Sequence, residues 1–414
     1  MKKYLVGGAV RNGILGLPIK DRDWVITGSN PKILISKKYK QVGKKFPVFL
    51  HPVTHEEYAL ARTEKKNGTG YKGFKVNYSS KITLEEDLIR RDITINAIAK
   101  DKNGTYFDPY NGLKDIKKRI IRHISSSFSD DPLRVLRVAR FAALLFHLGF
   151  RINKKTLILM SSNFLRSEIL NLEKERVWQE TEKAFKTFNP HIYFQVLFDC
   201  KTIYIIFPEI YNLLKLNEKF CTLNDINFTK QKVFQGLAFI SKYTKKIDIR
   251  ISFFIQLFDL NFNIFISNNL RICFLKFFKK YVLSMFVRIN VPNKIKNLSI
   301  LFIKNKYFLI NINVKSSHEI VLFLNKINAW RNPNIINKLS FLVDFYIKFL
   351  NIFFYKKKYN NFYPGNYLKK VFKLTKIISF SSISKNVKNG IEIQNKINEL
   401  KKIAIENWRN SLIK

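Results

Sequence analysis

The sequence contains few cysteines, histidines and acidic residues. Its 414 residues include three cysteines, six histidines and 30 Asp plus Glu. The cysteines are odd in number and lack metal-type spacing, at Cys200, Cys221 and Cys273. Neither a disulfide framework nor a zinc site is therefore expected, and a reducing cytoplasm fits this pattern.

Long apolar runs are also missing. A membrane-spanning helix needs about 20 consecutive apolar residues. The apolar segment at the N-terminus is interrupted by Arg11, and the run from Phe345 to Tyr355 is short and contains Lys348. We therefore expect no secretion signal, no membrane span and a cytoplasmic location.

Basic residues, in contrast, are abundant. Lys plus Arg number 74, which gives a formal net charge of +44. Such a surplus indicates a polyanionic partner, either nucleic acid or a membrane surface. The second half is rich in Lys, Asn, Ile and Phe, a bias that a genome rich in adenine and thymine also produces. The charge therefore supports RNA binding but does not prove it.

The first 125 residues alternate between short strands and helices, which is typical of an α/β domain. The expected strands are Tyr4 to Val6, Trp24 to Ile26, Val48 to Leu50 and Glu57 to Arg62. Thr83 and Glu86 form a capping-box pattern, which predicts a helix that runs to Arg91. The segment from Asp101 to Gly104 predicts a hairpin turn.

From Asp131 onward, apolar residues follow a helical period, so the rest of the chain is expected to be helical. We assign residues 126–220 to a helical neck and body, and 221–414 to a basic helical region. Only eight of the 30 acidic residues lie beyond residue 220, and His318 is the only histidine after His191. A histidine and aspartate metal centre is not expected there, so binding or scaffolding fits this region better.

A pair of carboxylates lies near the N-terminus. Gly7 and Gly8 follow a short apolar strand, where backbone without side chains can approach phosphates. Asp21 and Asp23 lead into the apolar strand Trp24 to Ile26. Alternation along a strand places both carboxylates on the same face, where they can share a metal ion. Two carboxylates and substrate phosphates are the usual ligands of Mg²⁺ in phosphoryl transfer.

Other polar residues allow two interpretations each. Glu57 either supplies a third carboxylate or is a surface acid at the start of a strand. Arg90 and Arg91 either clamp a triphosphate or satisfy the dipole at a helix C-terminus. If these arginines clamp a triphosphate, Asp92 or Asn96 can hydrogen-bond to the ribose hydroxyls.

A basic helix follows Asp131. Pro132 is well placed as its first residue. Three arginines follow Asp131 at intervals of three and form a ladder along successive turns, namely Arg134, Arg137 and Arg140. A carboxylate accepts a hydrogen bond from the exocyclic amine of cytosine or adenine, and a guanidinium donates to the ring nitrogen beside it. Guanine and uracil would leave those groups unpaired, at about 1 to 3 kcal/mol each, so such a pair selects C and A without a template.

Seven segments resemble one family of proteins. They are LVGGAVRN, KDRDWVITG, GKKFPVFLHP, EEYALARTEKK, EEDLIRRDITINAIA, FDPYNGLKDI and DDPLRVLRVARFAA. As a set they resemble the bacterial CCA-adding enzymes, the class II tRNA nucleotidyltransferases, across residues 1 to about 210. Weaker similarity resumes at Ala329 to Arg331, at Tyr363 to Gly365 and from Gly390 to Trp408.

The resemblance implies a fold and a reaction. The fold is an α/β (α+β) nucleotidyltransferase head of the polymerase-beta-like type, followed by an all-α neck, body and tail. The reaction is the template-independent addition and repair of the 3′-terminal CCA of tRNA from CTP and ATP, with Mg²⁺ and with release of pyrophosphate. A poly(A) polymerase, which shares several of the motifs, and a catalytically decayed RNA-binding protein are the alternatives. The resemblance does not specify an oligomeric state.

Nine residues match functional positions of that family. The implied Mg²⁺ ligands are Asp21 and Asp23, the implied readers of the base are Asp131 and Arg134, and the implied contacts to ATP or CTP are Gly8, Arg11, Arg91, Arg137 and Arg140. Asp130 departs from the family, which usually has Glu at that position.

The second half departs further from the family. Many relatives from gamma-class bacteria carry a histidine and aspartate phosphohydrolase domain after the neck. At the corresponding position this chain reads Ile255 to Asn261, without a histidine. The resemblance therefore implies that residues 221–414 form a degenerate domain of this type that binds tRNA.

Overall fold

The chain forms two compact units in the computed structural model. The first comprises Met1–Leu213 with Arg288–Asn290, and the second Leu214–Val287 with Val291–Lys414. The structure describes residues 1–42, 48–66, 68, 74–220, 226–259, 268–355, 362–378 and 390–412. Half of the segment GKKFPVFLHP, residues 43–47, and the end of the segment Ile255 to Asn261, residues 260–261, lie outside these ranges. The boundaries at 125 and 220 stay predictions.

The strands of the described chain all lie in the first unit. They are β1 (Lys2–Val6), β2 (Asp23–Thr27), β3 (Lys40–Gln41), β4 (Val48–Leu50), β5 (Glu57–Leu60), β6 (Arg62–Lys66), β7 (Phe74–Tyr78), β8 (Ala99–Lys100), β9 (Tyr106–Phe107), β10 (Ile120–Ile121) and β11 (Arg151–Ile152). Seven of these described strands form one mixed sheet in the order β3-β4-β5-β2-β1-β8-β9. The pair β2 and β5 is parallel, and the other neighbours in this sheet are antiparallel.

Helices cover the sheet and also form the part of the chain that follows it. Up to residue 220 they are α1 (Gly8–Ile14), α2 (Pro31–Ser36), α3 (Leu84–Ile89), α4 (Gly112–Lys118), α5 (Leu133–Leu145), α6 (Lys154–Met160), α7 (Asn163–Ile169), α8 (Lys174–Phe185), α9 (Pro190–Asp199), α10 (Ile203–Ile206) and α11 (Pro208–Phe220). The sheet has two apolar faces because side chains alternate along each strand. Val25 packs on one face with Tyr4 and Leu88, and Ile26 on the other with Phe49.

Four strand and helix boundaries differ from those expected. β2 begins at Asp23, so Asp21 lies in the preceding loop and strand alternation does not apply to it. The run from Glu57 to Arg62 divides after Leu60, and Arg62 begins β6. α3 ends at Ile89 instead of Arg91, and α5 begins one residue after Pro132.

Two local predictions are confirmed. The Thr83 hydroxyl accepts from the Glu86 amide at 3.2 Å, and the Glu86 carboxylate accepts from the Thr83 amide at 2.7 Å. This reciprocal pair begins α3 as a capping box. The Asp101 carboxylate accepts from the Asn103 and Thr105 amides, both at 2.9 Å, within the turn that joins β8 to β9.

The described part of the second unit is helical. From residue 221 the helices are α12 (Ile226–Tyr243), α13 (Ile247–Gln256), α14 (Asn268–Arg288), α15 (Asn293–Ile310), α16 (Ser317–Lys326), α17 (Asn334–Leu350), α18 (Pro364–Lys376) and α19 (Gly390–Asn410). In the described ranges, none of the helices is long and apolar enough to cross a membrane. Asp259 and Lys306 form an ion pair with both side chains almost completely buried. That this region has no histidine and aspartate metal centre stays a prediction.

Candidate active site

One cavity of about 680 Å³ in the first unit contains every residue of the predicted site in its wall. The nine residues are Gly8, Arg11, Asp21, Asp23, Arg91, Asp131, Arg134, Arg137 and Arg140. The cavity opens at the edge of the sheet where β1 ends and β2 and β5 begin. There Val6 pairs with Asp23, and Asp23 pairs with Glu57. The sheet register therefore sets the carboxylates beside the glycine turn that follows β1.

Three of the carboxylates in this wall lie near the starts of β2 and β5, namely Asp21, Asp23 and Glu57. The Asp23 carboxylate is accessible from the cavity, yet desolvation by the surrounding protein raises its pKa. The charge of Asp21 raises this pKa further, while Arg91 opposes the shift. Among the described residues no group of three or more His, Cys, Asp or Glu is arranged as a metal site. Mg²⁺ commonly takes one or two carboxylates and completes its shell with substrate phosphates and water, so Asp21 and Asp23 fit such an ion.

The glycine turn brings Arg91 to the cavity. Gly7 has φ of +69°, a conformation that favours glycine, and a Cβ there would lie 3.2 Å from Arg91 Nη1. Arg91 Nη2 donates to the fully buried Asp87 carboxylate at 3.2 Å. Arg91 Nε is buried and has no acceptor among the residues that the structure describes. A buried donor of this kind favours an anionic ligand in the cavity.

Asp92 holds two other arginines in place. Its Oδ2 accepts from Arg137 Nε at 2.7 Å, and its Oδ1 accepts from Asn96 at 3.0 Å. The Asn96 side-chain oxygen in turn accepts from Arg11 Nη1 at 2.6 Å. Burial alone would raise the pKa of Asp92, but Arg137 and the Asn96 hydrogen bond lower it to about 2. Both carboxylate oxygens therefore have protein donors, and Asp92 orients Arg137. The ribose contact considered for Asp92 stays a prediction.

Glu180 on α8 also holds arginines in place, and it was not identified from the sequence. It is 3% exposed, and its Oε2 accepts from Arg140 Nε at 2.5 Å. Its Oε1 lies 3.9 Å from Arg137 Nη1. The Arg140 guanidinium also lies over the Phe141 ring, 4.1 Å from its centroid. A single glutamate 40 residues from its partner carries no local signal that could have revealed this contact.

Asp131 and Arg134 are each held by neighbours. Asp131 Oδ2 accepts from Arg176 Nη2 at 2.9 Å, a second contact that the sequence did not reveal. Arg134 donates to the carbonyl oxygens of Ser127 and Arg90, both at 2.5 Å. Burial lowers the pKa of Arg134. These two bonds use two of the five N–H groups of the guanidinium.

Arg90, for which a triphosphate clamp was one alternative, also lines the cavity. Four further charged residues line it without having been predicted as site residues, namely Arg62, Glu64, Arg176 and Lys183. Nine cationic and six acidic side chains line the wall in total. Burial, and then the charge of Arg140, lower the pKa of Arg11 to about 10. A net positive wall with carboxylates at one edge is suited to a bound triphosphate.

Comparison with known proteins places this arrangement in a family. Residues 3–122 match the poly A polymerase head domain. Residues 149–214 match a segment described as the probable RNA and SrmB-binding site of polymerase A. These matches cover the predicted carboxylates but not the ladder from Asp131 to Arg140.

Whole-chain relatives are more specific. A CCA-adding enzyme of Buchnera aphidicola subsp. Baizongia pistaciae is 48% identical over 416 residues, covering 100% of this chain and 98% of the relative. That of Blochmanniella pennsylvanica is 38% identical over 422 residues, covering 100% of both chains.

Solved structures support the fold. The Bacillus stearothermophilus CCA-adding enzyme in complex with CTP is 19% identical, with a TM-score of 0.63 over 98% of this chain and 89% of the other. The Thermotoga maritima CCA-adding enzyme complexed with tRNA is 18% identical, with a TM-score of 0.60 over 97% of this chain and 86% of the other. The resemblance drawn from the sequence is confirmed, and the chain belongs to the family of CCA-adding enzymes.

Proposed function

We propose that the cavity of the first unit binds CTP or ATP and joins the nucleotide to the 3′ end of tRNA. The chain thereby adds and repairs the terminal CCA with release of pyrophosphate. The observation that carries this proposal is the convergence of nine predicted residues on one cavity wall. As a CCA-adding enzyme, the chain has CTP, ATP and tRNA as its partners. Its cytoplasmic location remains a prediction from the sequence.

Asp21 and Asp23 would hold Mg²⁺ in this site. Desolvation raises the pKa of Asp23 and the neighbouring charge of Asp21 raises it further, and a cation between the two carboxylates would oppose both effects. When bound, Mg²⁺ neutralises the triphosphate and promotes attack by the tRNA hydroxyl. Gly8 keeps the end of β1 free of side chains beside the carboxylates. Glu57 is available as a third carboxylate at the same edge.

The arginines position the nucleotide. Arg91 has a buried donor to offer the phosphates. Arg11, Arg137 and Arg140 are fixed by Asn96, Asp92 and Glu180, so they lose little freedom when the ligand binds. An in-line transfer requires a nucleotide held in a defined geometry, and arginines that are already fixed before binding can hold it so.

Asp131 and Arg134 choose the base. A carboxylate and a guanidinium side by side complement the edges of cytosine and adenine, as argued above. Arg176 holds the Asp131 carboxylate, and two backbone carbonyls hold Arg134. Selection of C and A by protein side chains needs no template strand.

Extension of a tRNA that lacks its terminal nucleotides tests the proposal. With Mg²⁺, CTP and ATP, the purified chain should add C, C and A and then stop, and Asp21→Ala should abolish addition. A long A tail would instead indicate a poly(A) polymerase, the activity named by the matching head domain. Binding of tRNA without any incorporation would indicate a decayed RNA-binding protein.

A further inference from the structure

The segment FDPYNGLKDI, residues 107–116, packs against the turn that carries Asn96. Its helix α4 lies against the short 3-10 turn Thr94–Asn96. The approach is close, because a Cβ on Gly112 would lie 2.4 Å from the Thr94 carbonyl oxygen. Within the described part of the chain, no residue of this segment lines the nucleotide cavity. The segment can therefore affect the reaction only through the residues that it holds.

Asp115 of this segment holds the first residue of the turn. Its Oδ2 accepts a hydrogen bond from Thr94 Oγ1 at 2.7 Å, and both residues are buried. Arg122 donates to the same carboxylate from Nε at 3.0 Å and from Nη2 at 3.1 Å. The Arg122 carbonyl oxygen also accepts from the Thr94 amide at 2.9 Å. Thr94 is therefore fixed by both its side chain and its backbone.

The last residue of the turn, Asn96, lines the nucleotide cavity. Its side-chain oxygen accepts from Arg11 Nη1 at 2.6 Å, and its side-chain nitrogen donates to Asp92 Oδ1 at 3.0 Å. This orientation of the amide follows from its partners, because a guanidinium can only donate and a carboxylate only accept. Asp92 in turn holds Arg137. The turn is three residues long, so displacement of its first residue would reach two arginines of the cavity.

We propose that Asp115 is a positioning residue for the nucleotide, acting through Thr94 on Asn96 and hence on Arg11 and Arg137. This inference rests on the proposed function, because that function makes the two arginines contacts of CTP and ATP. Asp115 lies outside the cavity wall, so it acts by fixing the arginines before the nucleotide binds. In the proposed function these arginines do not select the base, so Asp115 should serve CTP and ATP equally.

The test removes one hydrogen bond and keeps the shape of the turn. Thr94→Val replaces the hydroxyl by a methyl group and leaves Asp115 paired with Arg122. Thr94→Ser keeps the hydroxyl and is the conservative variant. Thr202→Val is the matched control, because Thr202 is a buried threonine of the same unit whose hydroxyl bonds to the Leu197 carbonyl oxygen away from the cavity wall. Steady-state constants are measured for CTP, ATP and tRNA, and the dissociation constant for CTP is measured without tRNA.

Thr94→Val should lower kcat/KM for CTP and for ATP by about tenfold each, because the arginines are then ordered only when the ligand binds. The dissociation constant for CTP should rise by a similar factor. KM for tRNA and the preference for C and A should change by less than about twofold. Thr94→Ser and Thr202→Val should keep every constant within about threefold of the parent. A general loss of structure would instead change the constants for tRNA and for nucleotides together.

A double-mutant cycle tests whether the effect passes through Asn96. Asn96→Ala should also lower kcat/KM for both nucleotides, and Thr94→Val added to it should cost less than about twofold more. If Thr94→Val alone melts lower than the parent, Thr94→Val with Asp115→Leu replaces it. That pair removes both polar groups, which costs little stability, and the 37% exposed Arg122 side chain can turn to water.

Three results would overturn the inference. Constants of Thr94→Val equal to those of Thr202→Val would show that the hydroxyl has no part in positioning the nucleotide. Losses that multiply in the cycle would show that Thr94 acts independently of Asn96. Equal impairment in Thr94→Ser and Thr94→Val would assign the effect to packing instead of the hydrogen bond. A parent that binds CTP without extending tRNA would refute the proposed transfer alone, because the dissociation constants for CTP still test the positioning.

Discussion

The two units use buried charge differently. In the first, Asp92 and Glu180 hold arginines whose guanidinium groups line an open cavity. In the second, Asp259 holds Lys306 inside the core, where both side chains are at most 1% exposed. An arginine pairs with a carboxylate through part of its planar fork and keeps further donors for a ligand. A buried lysine paired in this way has no such surplus to present.

This difference separates a site from a scaffold. The carboxylates of the first unit fix groups that act on a ligand, so their loss should impair activity first. The carboxylates of the second unit compensate charge inside a helical core, so their loss should impair folding first.

The largest effect is expected at Asp23. Asp23→Asn should lower the rate of nucleotide addition by at least about 1000-fold, because a metal ligand is worth several kcal/mol to the transition state. The melting temperature should not fall, because the environment of Asp23 raises its pKa and disfavours its charge. Glu85→Gln, an exposed acid on α3, is the matched control and should retain activity. Loss of stability without loss of rate in Asp23→Asn would reverse the contrast.

Lys306 provides the opposite case in the second unit. Lys306→Met should destabilise this unit by about 3 to 5 kcal/mol, because it leaves the Asp259 carboxylate buried without its partner. Lys306→Met with Asp259→Leu should recover most of that loss. Hydrogen exchange, read on peptides of α15 and α17 with peptides of the first unit as the internal reference, measures the change. A double variant no more stable than the single one would contradict the expected scaffold role.

Much of the first unit could be predicted from the sequence because its chemistry is local. Asp21 and Asp23 are two residues apart, and the ladder from Asp131 repeats every three residues, so spacing identifies each set. The resemblance to the family is what indicates that both sets line one site. The four expected strands were predicted to within a few residues, but the other seven strands of the described chain were not predicted. The prediction that strand alternation positions Asp21 was wrong, because β2 begins at Asp23. A loop brings the Asp21 carboxylate to the cavity instead.

The supporting contacts could not be predicted in this way. Glu180 and Arg176 reach the site from α8, 40 and 45 residues from the partners that they hold. The position of Asp92 in the sequence does not reveal that its carboxylate holds Arg137.

The Asp92 pair should appear in the pH dependence of stability. Its pKa is lowered from an ordinary value of 3.8 to about 2, so the charged form stabilises the folded state above about pH 4. That contribution is lost as the pH falls from about 4 to about 2, and it amounts to about 2 kcal/mol. Asp92→Asn should remove this pH dependence. Urea unfolding, followed by Trp24 and Trp178 fluorescence with the other tryptophans changed to Phe, measures it.

The smallest effect concerns the choice of base. Asp131→Ala should raise incorporation of U and G relative to C and A by about tenfold, because an unpaired polar group at the base edge no longer penalises the wrong nucleotide. Arg134→Ala should act in the same direction, and neither variant should weaken tRNA binding as much as it relaxes selection. Arg176→Ala distinguishes holding Asp131 in place from contacting the base, because it removes the arginine that pairs with Asp131 and leaves the Asp131 carboxylate. If Asp131 reads the base, Arg176→Ala should give a weaker version of the same relaxation. Unchanged selection in Asp131→Ala would mean that the ladder binds the nucleotide without distinguishing its base.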